Sequence, residues 1–372
     1  MHMSKGKRLI STVTSESTVH LGIEEFEVPN PGPDEVLVAV EASPINPSDL
    51  GLLLAGADAS TVSKSENGLV LSLPDGAVDG LMGRLDRPMP VGNEGAGLVV
   101  DAGTGEEAQA LQGQVVAALA GGMYATHRIV KARDCLVLEE GTEALDAASC
   151  FVNPLTAVGM TETMRLEGHS ALIHTAAASN LGQMLNRICI DDGIALVNIV
   201  RREEHVELLR SQGATYVANS SSSDFRSGLV DAIAKTGATI GFDAVGGGEL
   251  TTELLHAMEI AASSNGGEYS RYGSTTHKQL YIYGGLDRGP TLLRRNYGMA
   301  WGVAGWLLPN FLAKIGPERS TELRRRVAAE LTTTFASSYS ATLSLESVLD
   351  MDHMKEYSQM STQGKSLVCP QL

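Results

Sequence analysis

The apolar positions of this chain keep two different periods. Through the first 140 residues they come as short runs of strand length broken by turns, such as Glu35 to Val40 (EVLVAV) and Gly113 to Leu119 (GQVVAAL). Small residues at Val91 to Gly103 (VGNEGAGLVVDAG) lead into another strand. Thr61 to Glu66, Asn67-Gly68 and Leu69 to Leu73 read as a β-hairpin, or as a surface loop, inside an insertion over 57–90. Ser48 or Asp49 is placed to cap a short helix through Leu54. A helix over Ala144 to Met160 leads out of this region.

Beyond it the pattern alternates. Ala171 to Thr175 is a short apolar run; Leu181, Met184, Leu185 and Ile188 then recur at helical spacing, and Ile194 to Val200 is a second apolar run. The alternation goes on: helix Glu204 to Gln212, strand Thr215 to Asn219, helix Asp224 to Lys235, strand Thr239 to Val245, helix Glu249 to Ala262, strand Leu280 to Tyr283. Strands alternating with helices predict a doubly wound parallel sheet. The periodicity then predicts helices over Trp301 to Ile315 and Glu318 to Thr332, and short strands at Thr342 to Leu345 and Ser366 to Cys369 that return to the first domain. The expected domains are 1–155 with 317–372, and 156–316.

The turn between the first strand and helix of the alternating region is made of small residues, Ala176, Ala177, Ala178 and Ser179, with Gly182 one turn later. Small side chains let the backbone approach a pyrophosphate, and the helix that starts there offers free N–H groups to an anion. The plainer reading is a buried alanine-rich helix start with no ligand. At the end of the second strand, roughly 20 residues past the turn, a site for a free ribose hydroxyl would place a carboxylate. This chain has Arg201 and Arg202 there. Two guanidinium groups suit a 2′-phosphate, so NADPH is the expected cofactor; a solvated helix start is the alternative.

Composition narrows the classes. With 372 residues there is room for two domains, and 43% hydrophobic with 19% charged residues is a globular balance. A net charge of −16 argues against a nucleic-acid or anionic-membrane surface and makes the two arginines stand out. Cys135, Cys150, Cys189 and Cys369 form no C-x-x-C pair, so neither a zinc lobe nor a disulfide framework is expected. The first residues carry no apolar signal segment and the longest apolar stretch, Ala300 to Leu308, is too short for a bilayer. A cytoplasmic chain with no membrane partner is expected.

Several stretches resemble the medium-chain dehydrogenase/reductase superfamily. SPINPSD at Ser43 to Asp49 resembles the substrate-side loop of its zinc-independent quinone oxidoreductases, and GNEGAG at Gly92 to Gly97 resembles their G-x-E-G-x-G. GQVV at Gly113 resembles their G-D-x-V. VNPLTA at Val152 to Ala157 and AAASNLGQ at Ala176 to Gln183 resemble mitochondrial-type enoyl thioester reductases. The resemblance implies a discontinuous, β-rich GroES-like catalytic domain with an inserted Rossmann-type domain, and a homodimer. Where zinc-dependent members carry Cys and His, this chain has Asn46, or a neighbour, and Asn93, so no metal is expected. The enoyl reductases' tyrosine past the loop has no counterpart in Leu53-Leu54-Ala55-Gly56-Ala57.

By the same resemblance, Thr156, Ser179, Asn180, Leu181, Gly182, Val245, Gly246, Tyr283, Gly284 and Lys365 surround the cofactor together with Arg201 and Arg202. Asn46 would sit near the nicotinamide, with a turn residue as the alternative; Tyr124 is a candidate donor or a core tyrosine. Glu94 is expected to hold backbone or a neighbour, His174 to be a core histidine, and the polar stretch Tyr269 to Gln279 to be a solvated loop, with a segment reaching the active-site mouth as the alternative. The expected activity is NADPH-dependent, zinc-independent hydride transfer to a quinone or an α,β-unsaturated carbonyl. The alternatives are enoyl thioester reduction and a non-catalytic NADPH-binding protein.

Overall fold

The structure, a computed structural model, describes residues 5–139, 141–264, 270–359 and 365–372. It divides into two compact units, 1–152 with 324–372, and 153–323.

The first unit is β-rich. One sheet runs Ser63–Ser65, Gly68–Ser72, Thr18–Glu27, Lys5–Val13, Met89–Pro90. A second runs Cys135–Val137, Val115–Leu119, Glu94–Ala102, Glu35–Pro44, Lys365–Val368, Tyr339–Leu343, with His127–Lys131 also pairing Glu35–Pro44. Alternate residues Val36, Val38 and Val40 are buried with Val99 and Val116, the period-two pattern of a sheet with one apolar face. A separate cluster gathers Leu9, Val19, Leu21, Leu69, Leu71 and Tyr124.

The stretch 57–90 is therefore part of the first sheet rather than an excursion from it: Gly68–Ser72 pairs with Thr18–Glu27 over five residue pairs. The hairpin exists, but Ser65 pairs with Gly68, so its two-residue turn is Glu66-Asn67 and not Asn67-Gly68. Gly68 has φ 152°, and a Cβ there would lie 2.0 Å from the Leu21 carbonyl oxygen. The glycine serves the close approach to the neighbouring strand, not the turn. The helix expected over Ala144 to Met160 is two, Ala144–Ala147 and Val152–Leu166.

The second unit holds a six-stranded, all-parallel sheet in the order Tyr216–Asn219, Ala195–Val200, Ala171–His174, Ile240–Asp243, Lys278–Ile282, Trp301–Gly305. In chain order this is 3-2-1-4-5-6, with helices Asn180–Asp191, Glu203–Ser211, Phe225–Thr236 and Leu250–Ser264 between strands. Ile173, Val197, Ile199, Leu229, Ile233, Leu254, Met258 and Leu280 form its core.

Trp301–Gly305 corrects the expected helix over Trp301 to Ile315. The strand is five residues long within a short apolar stretch, which periodicity alone does not separate from helix. Register with Lys278–Ile282 makes it the last strand of the sheet. The helix that follows, Leu308–Ala329, breaks at Gly316 (φ 80°) ahead of Pro317. Of the polar stretch 269–279, Tyr269 lies outside the described residues. The rest is anchored: Glu259 accepts from the Ser274 N–H (2.7 Å) and from the buried Lys278 ammonium (2.5 Å).

Candidate functional site

In an open parallel sheet the chain reverses its winding between the first and fourth strands, and the loops leaving their carboxyl ends part to form a crevice. Here those ends are His174 and Asp243. After His174 the chain turns through Ala176, a non-glycine residue at φ 52°. The Ala177 N–H is held by the Ile199 carbonyl (3.1 Å). Ser179 then caps the helix Asn180–Asp191, its hydroxyl accepting from the Gly182 N–H at 3.1 Å. A Cβ on Gly182 would come within 2.2 Å of the Ala177 carbonyl oxygen, so the helix start is pressed onto the turn. Leu181 points into the interior and is buried.

Across the crevice, Asp243 organises the opposite loop. Its carboxylate accepts from Thr175 Oγ1 (2.8 Å), the Val245 N–H (2.9 Å), the Gly246 N–H (3.2 Å) and Thr251 Oγ1 (3.2 Å). Thr175 Oγ1 in turn accepts from the Ala244 N–H (2.8 Å). This buried knot ties the ends of the two strands together, and the sequence reading did not single it out. The Asp of FDAVGGG, closing a buried strand, was the available signal.

Tyr283 leaves the fifth strand beside it. Its N–H donates to the Asp243 carbonyl (3.0 Å), and its hydroxyl lies 2.8 Å from His174 Nε2. The two rings stack at 5.8 Å. His174 is fully buried, and burial pushes its imidazole down to about 3. Its Nδ1 has no protein partner among the described residues. Val245, Gly246, Tyr283 and Gly284 thus share the carboxyl edge of the sheet with the Ser179 to Gly182 turn. Thr156 is buried on the helix Val152–Leu166.

Arg201 and Arg202 follow the second strand directly and are exposed. Arg202 is the N-cap of the helix Glu203–Ser211. Its guanidinium pairs with Glu204 (2.9 Å) and reaches His205 Nε2 (2.8 Å).

The first unit has its own polar cluster. Asn46, the N-cap of the helix Pro47–Leu53, is 1% exposed. Its N–H donates to Asp49 Oδ2 (2.8 Å), so Asn46 and not Ser48 or Asp49 begins the helix. Asn46 Nδ2 donates to Glu94 (2.8 Å), and Asn46 Oδ1 accepts from the Lys365 ammonium (2.6 Å). Glu94 also accepts from the Phe151 and Val152 N–H groups at 2.8 and 2.9 Å, and Asp49 from the Asn93 N–H at 2.7 Å. Burial raises Asp49 to about 7 and lowers Lys365 to about 8. Burial also pushes Glu94 up, but three donors on its carboxylate are those of an ionised acceptor.

This geometry bears on three expectations. The Asn46 amide is spent as a connector between Glu94 and Lys365. Lys365 belongs to that same network, on a strand of the first unit. Tyr124 is fully buried and its hydroxyl donates to the Pro44 carbonyl (3.0 Å), so it is a core tyrosine. Glu94 holds backbone, as read. Among the described residues no group of three or more His, Cys, Asp or Glu side chains is arranged for a metal, and no helix is long and apolar enough to cross a membrane.

No family model matches the chain. It is 26% identical over 278 residues to the mitochondrial enoyl-[acyl-carrier-protein] reductase of Xenopus tropicalis, covering 73% of this chain and 67% of the relative. In the counterparts from Caenorhabditis elegans and Bos taurus the match spans about half of the relative. Solved structures share the fold. A protein of Mesorhizobium loti assigned as an NADPH:quinone reductase superposes with TM-score 0.73 at 24% identity, covering 99% of both chains. The Etr1p/NADP/crotonyl-CoA complex superposes with TM-score 0.70 at 19% identity, covering 99% of this chain and 100% of the other. The strand order and these likenesses point the same way: the chain is similar in sequence and fold to quinone reductases and enoyl thioester reductases of the medium-chain dehydrogenase/reductase superfamily.

Proposed function

We propose that this chain is an NADPH-dependent reductase that delivers a hydride to a quinone or an α,β-unsaturated carbonyl. The observation that carries the reading is the crevice between His174 and Asp243. A capped helix start with no bulky side chain borders it, and two arginines stand at the end of the adjacent strand. The residues fit a nicotinamide dinucleotide. The helix start at Ser179 to Gly182 would take the pyrophosphate, Arg201 and Arg202 the 2′-phosphate, and Val245, Gly246, Tyr283 and Gly284 the opposite wall. When bound, the dinucleotide supplies the hydride. The chain supplies position and dryness: the Asp243 knot holds the 244–246 loop in one conformation, and the stacked His174–Tyr283 pair closes the crevice floor without a charge.

The test is NADPH oxidation by purified protein with a panel of enones, quinones and a crotonyl thioester. Turnover of enones or quinones supports the reading. Turnover of the thioester alone would replace it with enoyl thioester reduction, which the relatives' names favour and the missing tyrosine at Leu53 to Ala57 disfavours. NADPH binding without turnover of any acceptor would make the chain a binding protein.

The reading includes zinc independence, because Asn46 is committed to Glu94 and Lys365 while Asn93 Nδ2 donates to Ser48 (3.1 Å). Elemental analysis of active protein is expected to find no stoichiometric zinc. One tightly held zinc per chain would overturn this part. A homodimer and a cytoplasmic setting complete the reading, the latter supported by four unpaired cysteines. Fractionation of source cells, followed by blotting, checks the compartment.

A further inference from the structure

The 2′-phosphate reading leaves a third basic side chain unassigned. Arg202 takes the N-cap of the helix Glu203–Ser211, and its carbonyl accepts from the His205 and Val206 N–H groups. This sets the His205 ring beside the Arg202 guanidinium, Nε2 to Nη2 at 2.8 Å. A guanidinium has only hydrogens to give, so Nε2 is an acceptor and the ring is neutral, with its proton on Nδ1. The ring is 12% exposed.

Charged groups of two elements act on it. Arg202 and Arg201 come from the end of the second strand, and Glu204, 4.0 Å away, comes from its own helix. Glu203 is turned to Asn219. On the same helix Val206 and Leu209 belong to an apolar cluster with Ala177 and Ala178 of the neighbouring turn, and Val217 of the third strand packs against that cluster. Burial first, then the two arginines, hold the imidazole below its usual range.

We propose that His205 is a specificity residue of the NADPH site, taking up a proton as the 2′-phosphate draws Arg202 away from Glu204. The proposal rests on the NADPH reading above. A phosphate dianion beside the ring favours its charged form, and once Arg202 turns to the phosphate, Nε2 is released to bind a proton and donate. Binding of the phosphorylated ribose then consumes a proton and strengthens as pH falls from 8.5 toward 6.5. A ligand with a free 2′-hydroxyl gains nothing from the change.

Calorimetry separates the parts. Adenosine 2′,5′-bisphosphate and 5′-AMP are titrated into full-length wild type and His205→Gln between pH 6.5 and 8.5, in buffers of different ionisation enthalpy. The expected result is proton uptake with the bisphosphate in wild type, absent with 5′-AMP and absent in the variant. The variant is expected to bind the bisphosphate about tenfold more weakly at pH 6.5, the equivalent of one pKa unit, and to converge with wild type at pH 8.5. Protonation of the ligand's own phosphate is common to both proteins and cancels in the comparison. The same uptake and pH profile in His205→Gln overturns the proposal. If wild type binds the bisphosphate no more tightly than 5′-AMP at every pH, the NADPH assignment fails and this proposal with it.

Discussion

Arg201 and Arg202 occupy adjacent positions in the chain but different electrostatic settings. Arg202 is engaged by Glu204 and His205, so a 2′-phosphate bound as proposed would have to compete for it. A charged hydrogen bond is worth about 1.5–3 kcal/mol. Arg201→Ala and Arg202→Ala are each expected to lower kcat/KM for NADPH by about one to two orders of magnitude and leave NADH nearly unchanged. Equal losses with both cofactors would assign the arginines to the fold. A second prediction concerns His174, held at about 3 by complete burial. The folded chain refuses a proton that the unfolded chain accepts below about 6.5. Its stabilising contribution is therefore full above that value and is lost progressively as pH falls toward 3. Between pH 7 and pH 5 wild type is expected to lose roughly 2 kcal/mol more than His174→Gln in urea denaturation. Parallel pH slopes would show that the ring charges in the native state. The arginines were legible from sequence because their place is set by local chain distance from the turn. Asn46 and Lys365 were not legible as a pair, because they stand 319 residues apart and meet only through strand pairing. The Asp243–Thr175 knot was hidden for the same reason, since the order of strands decides that they are neighbours.

Elements with a complete local signature were the ones the sequence reported well. The strand–turn–helix from Ala171 to Asp191 combines a strand of apolar residues, a turn of small residues and helical spacing, and all three agree with the structure. The five-residue strand Trp301–Gly305 has no such signature, and only its register with the fifth strand defines it. The hairpin at 63–72 shows a subtler limit: its glycine is set by contact with Leu21 across the sheet, which moves the turn by one residue from the Asn-Gly reading. The helix start is the element on which the proposed cofactor binding rests. Gly182→Ala places a methyl group against the Ala177 carbonyl oxygen, and an overpacked contact costs about 1–3 kcal/mol. The variant is expected to lose that much stability and to bind NADPH more weakly. Ser179→Ala, which removes only the cap, is expected to cost about 1 kcal/mol. Thermal denaturation with and without NADPH measures both. A Gly182→Ala protein as stable and as tight-binding as wild type would show that the helix start is free to shift.

At the scale of the whole molecule, the alternation of strands and helices announced the parallel sheet, because each period is written locally. What periodicity does not carry is how a sheet ends. The sixth strand, Trp301–Gly305, closes the second unit's sheet at one edge. An edge strand offers unpaired backbone groups to another chain unless it is protected, and this one is flanked by apolar side chains, Met299 at 77% and Leu307 at 58% exposure. Leu292 and Leu293, just ahead of it, are also exposed. A two-fold partner that lays its own edge antiparallel to this strand satisfies the backbone and covers the apolar residues with one self-complementary patch. The chain is therefore expected to be a homodimer at micromolar concentration by light scattering. Replacing Met299 and Leu307 together by Asp puts like charges across such an interface. The double variant is expected to become monomeric while keeping its helix and sheet content by circular dichroism. A wild-type monomer, or a variant that remains dimeric, would move the association surface elsewhere or remove it.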